Sequence, residues 1–345
     1  MHVLFATHQA VALHEGGVRT QMMQTKAALE AHGVTVTLFE MWKEFDPGQY
    51  DLVHIFSANM ATYHFARALR LQKIPFVVSP VFYTRRSDSM VRSVIRTDAL
   101  LNRFVRGFWT DYGLIAEMCG WANAVLPNTN AEAHLMRYGM KIQTKDVIVV
   151  PNGVEERFAK ATPDLFERQY GIRDFLLYVG QIGPHRKNVS TLLAALEKVD
   201  RPAVLIGSID DSLSGYQCLE RAKKNHRLLI VPELSHDSML LASAYAACEA
   251  FVLPSYYETP GLAALEAALA GAKIVITPFG GTEDYFGADV VYVDPGSADE
   301  IARGIITAFG REKDNVLSER IRKEFVWEKV GEKTKKVYDH VLGLT

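Results

Sequence analysis

Short apolar runs alternate along the 345-residue chain with longer stretches in which apolar residues recur at three- and four-residue spacing. His2 to Thr7 reads as a buried parallel strand, Thr20 to Ala31 as a helix ended by His32-Gly33, and Val34 to Phe39 as the next strand. Further strands are predicted at Asp51–Phe56, Pro75–Pro80, Ala124–Pro127 and Val147–Val150, with a helix near Ala61 to Gln72. After a linker from Pro151 to about Tyr170, a second set begins at Phe175–Gly180 and continues through Ala203–Ile206, Leu228–Val231, Phe251–Ser255, Ile274–Thr277 and Val290–Val293. Such alternation predicts an α/β protein of two Rossmann-like, doubly wound parallel-sheet domains, with ligands beyond the carboxyl ends of the strands. The first domain is placed at residues 1–160 and the second at 161–325.

One stretch departs from plain alternation. Behind the strand ending at Ser255 come Tyr256-Tyr257-Glu258-Thr259-Pro260-Gly261-Leu262, then an alanine- and leucine-rich run stopped by Gly271. Thr259 is expected as helix N-cap and Pro260 as first helical residue, where its missing N–H costs nothing. The amides of Gly261, Leu262 and Ala263 would then form an anion site at the helix tip. Glu258 precedes that tip and Glu266 lies two turns inside, roughly 12 Å away at the helical rise. Residues 262 to 270 are otherwise apolar, so Glu266 is expected to be buried and to have a polar partner.

Glu258 and Glu266, with seven residues between them and flanking Pro-Gly-Leu, resemble the paired-glutamate motif of retaining glycosyltransferases with the two-Rossmann-domain GT-B fold, family 4 above all. The resemblance implies transfer of a glycosyl group from a nucleotide sugar, UDP- or GDP-linked, to a hydroxyl of a polysaccharide, glycolipid or lipid-linked acceptor. It implies two domains facing across a cleft, and a terminal helix, residues 326–345, packing back on the first. Glu258 would hold the donor sugar's hydroxyls and Glu266 the ribose, with Pro260, Gly261 and Leu262 at the diphosphate. Gly16-Gly17, glycines at a helix entrance that let backbone approach a phosphate, fall where the family has its own double-glycine loop. Pro232 falls where the family's backbone reads the nucleotide base.

The segment Gln181-Ile182-Gly183-Pro184-His185-Arg186-Lys187-Asn188 turns from strand to helix through basic residues, an arrangement suited to phosphate. Lys187 fits the family's lysine, but Gln181 stands where the family carries arginine. A glutamine cannot neutralise a diphosphate, so Arg186 or another base is expected to take over. The region Pro80-Val81-Phe82-Tyr83 lacks a histidine that many relatives keep near the reacting carbon; His14 and His185 are the alternatives considered. Gly280-Gly281 beside Glu283 is given only a minor part.

Residues 85 to 109 carry Arg85, Arg86, Arg92, Arg96, Arg103 and Arg106 among apolar residues at helical spacing. This stretch can lie on an anionic membrane surface, or pack its apolar side on the first domain with the arginines in water; the resemblance tilts toward the membrane. The net charge of −2 argues against general nucleic-acid binding, and Cys119, Cys218 and Cys248 show no metal spacing and suit a reducing compartment. No apolar run reaches membrane-spanning length and Met1 to Phe5 enters a strand at once. These features predict a cytoplasmic protein, peripheral to the inner face of a membrane if residues 85–109 dock there. Without an Asp-x-Asp motif no metal is expected, and no cofactor. Two rivals share the scaffold: a nucleotide-sugar epimerase, and a catalytically silent subunit supporting a partner transferase.

Overall fold

The computed structural model describes residues 1–13, 16–105, 109–143 and 146–344. The chain forms two compact units, one of Met1–Gly153 with Trp327–Thr345 and the other of Val154–Val326. The division falls at Gly153/Val154 rather than at 160/161. Val154 already donates its N–H to Phe325 within the second unit, and Phe158 is fully buried in that unit's core.

In the first unit, β1 (His2–Ala6), β2 (Thr35–Leu38), β3 (Leu52–Phe56), β4 (Phe76–Ser79) and β5 (Ala124–Val125) form a parallel sheet in the order β2-β1-β3-β4-β5. Leu4 pairs with Val53 and Ile55 with Val78. Their near-continuous apolar sequences follow from burial on both faces. The predicted strand at Val147–Val150 appears as a short parallel addition beside β5: Val147 bridges Val125, Ile148 donates its N–H to Val125 O at 2.9 Å and Val150 donates to Pro127 O at 2.9 Å. The terminal helix Trp327–Val341 packs against the helix Gly17–Ala31, where a side chain on Gly331 would come 2.7 Å from Ala28 Cβ. Tyr338 from that helix meets the buried His54 at 2.6 Å, and Ser79 meets the other ring nitrogen at 2.9 Å. Burial lowers the His54 pKa to about 3, so the ring is neutral and donates at one nitrogen while accepting at the other.

In the second unit, β6 (Phe175–Val179), β7 (Ala203–Ile206), β8 (Leu228–Val231), β9 (Cys248–Leu253), β10 (Lys273–Ile276) and β11 (Val291–Tyr292) form a parallel sheet ordered β11-β10-β9-β6-β7-β8. The chain runs outward from β6 to β8, then returns to β9 on the other side of β6. The carboxyl ends of β6 and β9 therefore flank the point where the winding reverses, the place such sheets leave open for ligands.

Candidate functional site

The loops leaving β6 and β9 are joined by their backbones. Tyr256 donates its N–H to the carbonyl of Arg186 at 2.9 Å. Asn188, held at φ +57°, donates its side-chain amide to the carbonyls of Pro254 at 2.9 Å and Pro295 at 2.7 Å. This fixes the single turn His185–Lys187 over the end of β9. Lys187 Nζ then lies 2.7 Å from Glu258 Oε1, and Arg186 Nη1 lies 3.2 Å from the same oxygen. From the far side, Glu258 donates its N–H to Phe279 O at 3.0 Å. Gly280, at φ +99°, lies so close that a Cβ there would stand 2.2 Å from Glu258 O. The Gly280-Gly281 loop is thus packed directly against the backbone of Glu258.

Glu258 is only 5% exposed, and burial alone would raise its pKa. The two cations more than offset that, Lys187 first and Arg186 second, and hold it near 2. On Lys187 burial outweighs the pull of Glu258 and the pKa falls below the usual lysine value. On Arg186 burial also opposes the charge, but Glu258 and Tyr257 prevail and the pKa rises. The geometry decides for a charged pair, since a neutral lysine would leave a buried carboxylate facing Arg186 alone.

The helix tip differs from the sequence reading. Thr259–Pro260 is a cis peptide and both residues lie outside the helix, which runs Leu262–Leu269 with Gly261 as N-cap at φ +90°. A residue in that left-handed conformation cannot continue a helix back to Pro260, and glycine takes it without a Cβ penalty. The amides with no intrahelical acceptor are those of Leu262 and Ala263, while Ala264 donates to Gly261 O at 2.9 Å. The helix thus starts two residues later than expected, with the amides of Leu262 and Ala263 at its tip.

Glu266 is 6% exposed, as its apolar surroundings required, and it is doubly partnered. His236 Nε2 lies 2.9 Å from Oε1, and Tyr245 donates its hydroxyl to Oε2 at 2.8 Å. Sequence reasoning missed both partners, together with Asn188. His236 could have been found, standing four residues beyond Pro232 in the same strand-end loop.

The structure gathers Arg186, Lys187, Glu258, Gly261, Leu262 and Glu266 at the ends of β6 and β9. Pro232 is exposed directly after β8. Gln181 is exposed after β6, and its amide reaches Asp210 Oδ1 at 3.4 Å rather than any acid of the cluster. Gly16 and Gly17 begin the helix Gly17–Ala31 of the first unit, earlier than the predicted Thr20. His14 and Arg106 lie outside the described residues, and His185 stacks on Tyr256 at 4.7 Å. In the basic stretch the helix is Asp88–Leu101, with Val91 fully buried. Arg85, Arg86, Arg96 and Arg103 are exposed, while Arg92 donates to Tyr138 O at 2.7 Å. Phe104, Val105 and Trp109 are exposed beside them, so the apolar residues divide between core and surface. No helix of the described residues is long and apolar enough to cross a membrane.

Residues 166–324, nearly all of the second unit, match the family model of glycosyl transferases group 1. The second unit is thus similar to a group 1 glycosyl transferase domain. A glycogen synthase of Mycobacterium tuberculosis is 29% identical over 206 residues, 56% of this chain and 48% of that protein. The chain spans about half the length of the first curated relatives it matches. A sucrose-phosphate synthase from Thermosynechococcus elongatus superposes with a TM-score of 0.77 at 20% identity, over 100% of this chain and 99% of that one. HepE of Anabaena, in complex with UDP-glucose, gives 0.71 at 16% identity over 99% and 100%. At those identities the likeness is one of fold, and it gives the chain the two-domain GT-B architecture. In the second unit, the paired glutamates, the two cations and the helix tip all occupy one end of the sheet.

Proposed function

We propose that this chain is a retaining, metal-independent glycosyltransferase that moves a sugar from a nucleotide-sugar donor to a hydroxyl of a saccharide or lipid-linked acceptor. One observation carries the reading: Lys187 and Arg186 converge within 2.7 and 3.2 Å of one oxygen of Glu258, beside the free amides at Leu262 and Ala263. As the bond from the anomeric carbon to the diphosphate breaks, negative charge builds on the leaving phosphate. Two fixed cations and a helix tip can meet that charge without a divalent ion. The arriving diphosphate competes with Glu258 for Lys187 and Arg186. Glu258 is then left to bind the sugar's hydroxyls and to face the positive charge developing at the reacting carbon.

In this reading Glu266, about one turn along the helix, accepts the ribose hydroxyls and Pro232 borders the base. The bound UDP-glucose of the HepE structure supports a nucleotide-sugar donor. The exposed arginines and aromatic residues of the stretch 85–109 support an acceptor at an anionic lipid surface. Thermal shifts with a panel of UDP-, GDP- and ADP-sugars test the donor site. One nucleotide series is expected to stabilise the protein, an effect lost in Glu266→Ala. Stabilisation by none of them would favour a silent subunit instead. Free nucleotide and an altered sugar formed without acceptor would favour an epimerase. Unchanged turnover in excess chelator, and an unchanged anomeric configuration in the product, are expected for the mechanism proposed.

A further inference from the structure

We propose that His236, in the loop after β8, is the positioning residue of the nucleoside subsite, holding the Glu266 carboxylate where it accepts both ribose hydroxyls. The inference rests on the ribose assignment above. His236 Nε2 stands 2.9 Å from one carboxylate oxygen and the Tyr245 hydroxyl 2.8 Å from the other. One donor on each oxygen fixes the plane of the carboxylate and leaves each oxygen a further lone pair. Two adjacent hydroxyls of one ring require that presentation. Tyr245 alone would leave the carboxylate free to turn about its last bond.

The far edge of the ring explains why a histidine serves here. His236 Nδ1 faces Glu155 Oε2 at 3.5 Å and Asp237 Oδ1 at 3.6 Å. Three acids thus surround one imidazole. A neutral ring would turn a lone pair toward one of them, whereas the imidazolium offers a proton on both sides. Arg157 is the opposing cation, bonded to Glu155 and to the carbonyl of His236 itself. The remaining neighbour from the helix Met239–Ala247 is Tyr245, which is un-ionised because burial and the Glu266 charge push its pKa well up. The hydrogen bond to Glu266, with the charges of Glu266 and Glu155, raises the pKa of His236 against its burial and Arg157. A raised pKa means the charged grip is complete at low pH and is lost as pH climbs through the folded value.

The test is calorimetric titration of the full chain with UDP, GDP or ADP, whichever binds, against its 2′-deoxy counterpart over about pH 6 to 9. The ratio of the two affinities isolates the ribose contact, because the diphosphate titrates alike in both. Wild type is expected to prefer the ribonucleotide about tenfold at the acid end, a charge-assisted hydrogen bond, with the preference shrinking as pH rises. His236→Ala should bring the ratio close to one throughout. His236→Gln, which keeps a neutral donor, should retain part of the preference and show no pH dependence. An unchanged ratio and pH profile in both variants would overturn the proposal. If Glu266→Ala itself keeps the preference, the ribose assignment fails instead. Should His236→Ala not fold, the pH profile of His236→Gln decides.

Discussion

Each sheet buries a glutamate near its carboxyl ends, and the two are held in opposite ways. Glu132, in the first unit, is 0% exposed and accepts N–H bonds from Phe82 and Asn128, both at 2.7 Å. Burial pushes its pKa up to about 7, and the two amides recover only part of the loss. Glu258, in the second unit, is nearly as buried, yet Lys187 and Arg186 hold it near 2. Backbone dipoles satisfy a carboxylate's hydrogen bonds without neutralising it; cations do both. The first glutamate ties the loop after β4 to the loop after β5. The second is the counter-ion of two cations, which is why the proposed chemistry is placed at the second sheet.

The largest test removes the cation that makes the difference. Lys187→Ala should lower turnover by roughly 100- to 1,000-fold, the scale for losing one preorganised stabiliser of developing charge. It should also return Glu258 toward the raised, Glu132-like state. Steady-state kinetics on the donor found by thermal shift checks the first expectation. Turnover within a factor of a few of wild type would mean that Lys187 is only a structural partner of Glu258.

Next in size is Glu132→Ala, which leaves two buried amides without acceptors. A cost of about 2–4 kcal/mol is expected from that loss, read by urea unfolding, with donor affinity little changed. The pH dependence of stability should also separate the two acids. Glu132 has a folded pKa near 7 against an ordinary 4.5, so its contribution is complete below 4.5 and is lost as pH rises through 7. Glu258 has a folded pKa near 2 against 4.5, so its contribution is complete above 4.5 and is lost as pH falls through 2. Difference curves against Glu132→Gln and Glu258→Gln check each window. A slope for Glu132→Gln identical to wild type between 4.5 and 7 would remove the contrast.

Much of this contrast was legible in the sequence where the signal is local. Alternating apolar runs mark both sheets, and the position of Glu266 in an apolar helix demands a partner before one is known. What sequence could not supply are contacts made by topology. His236 and Tyr245 reach Glu266 from 30 and 21 residues away, and Gly280 reaches Glu258 only because β10 pairs with β9. Glu132 carries no sequence signal of its own, since an acid three residues after Thr129 reads as an ordinary helix-capping partner. The helix start was misplaced because Thr-Pro-Gly is equally good as a cap or as a turn, and Gly261 alone decides. Val147–Val150 is strand-like in composition and lies along β5 at the edge of the sheet, held by the bonds of Ile148 and Val150.

The smallest expected effect concerns Gln181, where the resemblance led us to expect arginine. Its side chain is exposed and reaches Asp210 at 3.4 Å. Gln181→Arg adds a third cation to the second sheet's end, but Asp210 is the nearer partner. An exposed pair of that kind is worth at most about 1 kcal/mol, so nucleoside diphosphate affinity should rise by no more than roughly fivefold. Calorimetry at two salt concentrations separates the added charge from any rearrangement, because only the former is screened. If affinity instead rises by orders of magnitude, Arg186 and Lys187 leave much of the diphosphate uncompensated. The second sheet would then differ from the first by less than the pKa of Glu258 implies. A small gain would mean that Arg186, only five residues on and already within 3.2 Å of Glu258, supplies the charge that Gln181 lacks.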